Sequence, residues 1–72
     1  MTYVVVFERG KRNWSAYVPD LAGCVTTGKT LEQARAMIAE AVRGHVEAVK
    51  RRGYPVPEPS TRAEEIEIGG AA

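Results

Sequence analysis

The sequence predicts an α+β single domain in the order strand, strand, strand, helix, strand, forming a mixed four-stranded sheet with one helix on one face. Three observations predict it. The first 27 residues hold short β-branched and aromatic runs broken by glycine, asparagine and proline. A long run with apolar residues at spacings of three and four follows. Near the end, "EEIEIGG" alternates charged and apolar residues. At 72 residues the core is marginal, because a chain this short buries only about 60% of the surface its unfolded form exposes.

The first strand is "TYVVVFE", residues 2–8. Tyr3, Val5 and Phe7 point one way and Val4 and Val6 the other, so both faces are apolar, which predicts a central strand. Basic "RGKRN" follows and supplies a hairpin turn. The second strand is "NWSAYVP", residues 13–19, with Trp14, Ala16 and Val18 on one face and Ser15 and Tyr17 on the other. "CVTT", residues 24–27, is a short third strand. The turn between them uses Pro19 to stop the ladder, Leu21 to plug the core edge, and Gly23 and Gly28 to permit positive φ.

The helix is predicted over residues 31–52. Thr30 is its N-cap and Gln33, three residues on, completes a capping box. Leu31, Ala34, Ile38, Ala41, Val42, His45 and Val49 fall near one face. Lys50, Arg51 and Arg52 suit the negative end of the helix dipole. Gly53 gives a left-handed stop and Pro55 forbids continuation. "YPVPEPS" is a stiff extended connector, and "EEIEIGG", residues 64–70, is the fourth strand, with Ile66 and Ile68 inward. A right-handed crossover sets it parallel to the first strand, in the sheet order third, second, first, fourth. The domain is expected to span residues 1–68, with 69–72 a disordered tail and no C-terminal DNA-binding domain.

Composition excludes several functions. Ten Lys and Arg against nine Asp and Glu give a net charge of +1, unlike a protein that coats nucleic acid. Cys24 is the sole cysteine and His45 the sole histidine, so neither a disulfide nor a closed zinc site can form within one chain. No cofactor is expected. The apolar opening is too short for a secretory or membrane-spanning segment, and a lone thiol fits a reducing cytoplasm.

The candidate chemistry is sparse. Asp20, Glu40 and the late glutamates do not follow the pattern of a nuclease acid cluster, which needs several acids converging on one pocket. His45 has no nucleophile beside it, and Cys24 reads as a small buried hydrophobe. Arg9, Lys11 and Arg12 with Lys50, Arg51 and Arg52 read as a solvated hairpin tip and a dipole complement rather than a phosphate site.

The spacing "Y-x-P-D-L-x-G-C-x-T-x-G-x-T-x-x-x-A", from Tyr17 through Pro19, Asp20, Leu21, Gly23, Cys24, Thr26, Gly28 and Thr30 to Ala34, precedes a long Ala-rich helix and "G-x-P-x-P-x-P" from Gly53. This pattern resembles the HicB family of antitoxins, over most of the chain. The resemblance implies a degenerate RNase H-like fold and a small cytoplasmic bacterial protein that neutralises a HicA-type toxin, an RNA-cleaving interferase, by covering its active site. The alternatives are a stand-alone self-associating scaffold without a toxin and, behind it, a metal-dependent ribonuclease. Many HicB proteins carry a further DNA-binding domain, which this sequence does not show, so no specific DNA binding is expected. With one helix for a sheet apolar on both faces, a homodimer or dimer of dimers is expected, with Val4, Val6, Tyr17 and Trp14 as candidate interface residues.

Overall fold

The computed structural model describes residues 1–70; residues 71–72 of the expected tail lie outside the described residues. Three strands and a helix follow in order: β1 (Val6–Arg9), β2 (Trp14–Tyr17), β3 (Val25–Gly28) and α1 (Leu31–Arg51). The sheet is antiparallel, in the order β1-β2-β3. The mixed four-stranded sheet predicted from the sequence is therefore corrected. Residues 62–70 are extended and exposed but pair with no strand, and Ile66 and Ile68 are 81% and 88% exposed. Alternation makes a segment competent for a sheet, but a strand also needs an edge to bond.

That change makes β1 an edge strand rather than a central one. Its ladder with β2 runs from Arg9↔Trp14 to Val6↔Tyr17. The same register would set Val4 opposite Pro19, which has no N–H to donate. Val18, between Tyr17 and Pro19, faces the other side, where its N–H donates to the Cys24 carbonyl at 3.1 Å. Residues 3–5 consequently run on without ladder bonds.

Two consecutive turns reverse the chain between β2 and β3. The Leu21 N–H donates to the Val18 carbonyl and the Cys24 N–H to the Leu21 carbonyl, each at 3.1 Å. In the second turn Gly23 sits third, at φ 80, the position where a type II turn requires positive φ. Gly28 has a different reason from the one expected. It is not in the positive-φ region; a Cβ there would lie 2.7 Å from the Ala34 amide nitrogen. Its missing side chain lets the first turn of α1 press against β3.

Both ends of α1 follow the sequence pattern closely. Thr30 Oγ1 accepts from the Gln33 N–H at 3.0 Å. The returning bond runs from the Lys29 N–H to Gln33 Oε1 at 2.6 Å, one residue earlier than in the usual capping box. At the C-terminus the Tyr54 N–H donates to Val49 and the Gly53 N–H to Lys50, with Gly53 at φ 77. That is the Schellman arrangement.

The buried core is Ala16, Val18, Leu21, Cys24, Ala34 and Ile38. Tyr3, Val5, Phe7 and Trp14 pack around it from the sheet, and Ala41, Val42 and Val46 from the helix. A helix is about 10 Å wide and strands lie about 4.8 Å apart, so one helix covers roughly two strands. Here α1 packs on β3 and β2, and the helix-side residues of β1 stay only half-buried.

Candidate functional site

Register decides which side chains share the uncovered face. Val6 lies opposite Tyr17, and Tyr17 opposite Val25. Directly opposed residues project to the same side of an antiparallel sheet. Ala16 is buried against the helix, so its neighbour Tyr17 points away from it. Val6, Tyr17 and Val25 thus form one apolar row across all three strands on the helix-free face. Tyr17 is 37% and Val25 59% exposed, while Val4 and Val6 are half-buried.

Of the four interface residues named from the sequence, Val4, Val6 and Tyr17 share this face. Trp14 does not: it lies on the helix side, packed against the core. Val25 belongs with the row and was missed. Its membership follows from pairing register, which depends on how the two turns close and cannot be counted off one strand.

The Pro19-to-Gly28 stretch proves to be an anchorage as well as a turn. The Asp20 carboxylate accepts four hydrogen bonds from residues about forty positions downstream. Oδ1 takes the Thr61 and Ser60 hydroxyls at 2.7 and 3.1 Å. Oδ2 takes the Ser60 and Thr61 amides at 2.9 and 3.1 Å. These bonds, led by the Thr61 hydroxyl, hold the carboxyl at about 2, below its ordinary 3.8. A second tie lies close by: the Tyr3 hydroxyl donates to the Pro57 carbonyl at 2.6 Å. Together they strap the proline-rich connector across one end of the sheet.

The remaining candidates stay apart. Arg9, Lys11 and Arg12 surround a polar notch with Lys29, whereas Lys50 lines a groove beside Met1 and Tyr3. Six residues of β1 and its lead-in, about 20 Å, separate Tyr3 from Arg9, so the cations do not converge on one phosphate site. Glu40 is exposed on α1, Glu8 is exposed on β1, and Asp20 is committed to its clamp. Among the described residues no three His, Cys, Asp or Glu side chains gather as a metal site. Cys24 is buried, and desolvation raises its thiol pKa above the usual value, away from the thiolate that reactivity needs. His45 is half-buried on α1. No helix among the described residues is long and apolar enough to cross a membrane. The row Val6, Tyr17 and Val25 is the apolar feature of the open face.

Residues 3–68 match the family model described as the HicB_like antitoxin of bacterial toxin-antitoxin systems. The UPF0150 protein Ta0767 of Thermoplasma acidophilum is 35% identical over 69 residues, covering 94% of this chain and 97% of that one. Antitoxin HicB 2 of Photorhabdus laumondii is 33% identical over 64 residues, covering 89% of this chain. The match spans 46% of that antitoxin, so this chain corresponds to about half of it. In a solved "HicA3 and HicB3 toxin-antitoxin complex", one chain superposes with a TM-score of 0.70 at 28% identity. That match covers 83% of this chain and 70% of the other.

Proposed function

The chain belongs to the HicB-like antitoxin family, and from that premise we propose that it binds a HicA-type toxin and neutralises it by lying over the active site. The observation that carries this reading is the likeness, over most of the chain, to one chain of a solved toxin-antitoxin complex. Steric cover needs a surface and no chemistry of its own. The row Val6, Tyr17 and Val25, with Val4 beside it, is an apolar surface of that kind, and aromatic anchors such as Tyr17 commonly dominate binding energy. The protein is then not an enzyme, a reading supported by the separation of Asp20, Glu40 and Glu8. It works in the cytoplasm, and residues 1–68 are the antitoxin-like unit. Balanced charge and divided cations favour a protein partner over specific DNA binding.

The same face favours a second reading, a stand-alone scaffold that associates with itself as a homodimer or dimer of dimers. One experiment separates the two. The tagged chain is co-expressed with the small toxin-type reading frame that the antitoxin reading expects beside its gene. Co-purification in fixed proportion, with growth restored, supports the antitoxin. A genome with no such neighbour, and a chain that purifies only with itself, supports the scaffold.

A further inference from the structure

One helix cannot cover three strands, and beside the lead-in to β1 it leaves a groove rather than a flat patch. Met1 and Tyr3 form one wall and Val42 and Val46 on α1 the other, with Arg43, Glu47 and Lys50 along the rim, around a volume of about 350 Å³. Glu47 is engaged by Arg51 at 3.8 Å, which leaves Arg43 and Lys50 as the rim charges facing outward. The groove is thus apolar inside and basic at its edge.

The last described segment has the complementary pattern. In "RAEEIEIGG", residues 62–70, Ile66 and Ile68 project to one side and Glu65 and Glu67 to the other. Both isoleucines stand in solvent, at 81% and 88% exposed. The molecule measures 51 × 27 × 16 Å, while a helix of 21 residues accounts for only about 32 Å of length. The extended arm supplies much of the rest. It leaves from the Asp20 clamp at Ser60 and Thr61. Between Arg62 and Ile68 there is no glycine, proline, asparagine or aspartate to turn it back on its own groove.

We propose that residues 62–70 of one copy lie in the groove of a second copy, Ile66 and Ile68 against Tyr3, Val42 and Val46, their flanking glutamates beside Arg43 and Lys50. The occupant is a second copy because the arm carries both features the groove selects, paired aliphatic side chains and acidic flanks. The exchange is reciprocal about a two-fold axis, so each groove is incomplete without the other chain. This device is independent of toxin binding, and a failure of one leaves the other standing.

The test uses cysteine pairing in the full chain, whose own Cys24 is buried. Two proteins, V46C and I68C, are mixed and oxidised, and an E40C protein replaces V46C as the control. A disulfide-linked heterodimer from V46C with I68C, at least tenfold above the E40C control, is the expected result. A second arm compares sedimentation of the unmodified chain with the I66S/I68S variant, in which the exposed arm changes and the core does not. The unmodified chain should sediment as a dimer at micromolar concentration, and the variant should dissociate at least tenfold more readily. Equal cross-linking to the control, an internal disulfide in a V46C/I68C monomer, or identical masses for the two arm sequences would overturn the exchange. So would cross-linking that appears only when toxin is present.

Discussion

Thr61 is joined to Asp20 twice, by its hydroxyl at 2.7 Å and by its amide at 3.1 Å, across 41 positions of sequence. Both bonds favour the charged carboxylate, so they tie the fold's stability to pH. The folded value of about 2 lies below the ordinary 3.8. A group lowered in this way contributes its full stabilisation above the ordinary value and loses it as pH falls through the folded one. Above 3.8 the wild type should therefore melt higher than D20N, and the gap should close as pH approaches about 2. Thermal melts of both proteins across that window check it, and a carboxyl titration of Asp20 by NMR should show a midpoint near 2.

Gly28 and Gly23 should respond to alanine for different reasons. G28A sets a Cβ 2.7 Å from a backbone nitrogen of α1, and overpacking of this kind costs about 1–3 kcal/mol. G23A meets nothing within 4 Å but must hold φ 80, a left-handed strain of about 1–2 kcal/mol. Denaturant unfolding measures both. The two are told apart by NMR, since only G28A should shift the amide signals of residues 33 and 34.

These two glycines show where local sequence stops being informative. Gly23 is readable because a turn's dihedral requirement is written within four residues. Gly28 looks the same in sequence, yet its role depends on a helix docking six residues later. The helix was legible at both ends, since Thr30, Gln33 and Gly53 act on backbone groups within one turn. The Asp20 clamp has no such signature: any acid and any Ser-Thr pair forty residues on would look alike. Residues 64–70 have the alternation of a strand, but no local pattern records whether an edge is within reach. With these residues unpaired, β1 sits at the sheet's edge rather than at its centre.

The apolar row on the open face should matter to association and little to folding. Burying a few hundred Å² of such surface stabilises a complex by several kcal/mol at about 25 cal/mol per Å². V6S/Y17S should therefore weaken binding to toxin, or to a second copy by this face, at least tenfold while leaving the helical circular-dichroism signal intact. Titration calorimetry with each partner reads the loss. Unchanged affinity for both would remove this face as a binding surface.

Catalysis should be absent. With Asp20 held by Ser60 and Thr61 and Glu40 exposed on the helix, the acids do not converge as two-metal hydrolysis requires. Purified chain incubated with labelled RNA and Mg²⁺ or Mn²⁺ should leave the RNA intact. Cleavage that disappears in D20N or E40Q would contradict this.

The most direct measurement is RNA cleavage by the HicA-type toxin that the antitoxin reading requires in the same genome, titrated with the purified chain. Steric cover predicts that cleavage falls in proportion to added chain and ceases near equivalence, with D20N and E40Q retaining inhibition because neither residue lies in the apolar row. Full cleavage in the presence of excess folded chain would contradict the antitoxin reading.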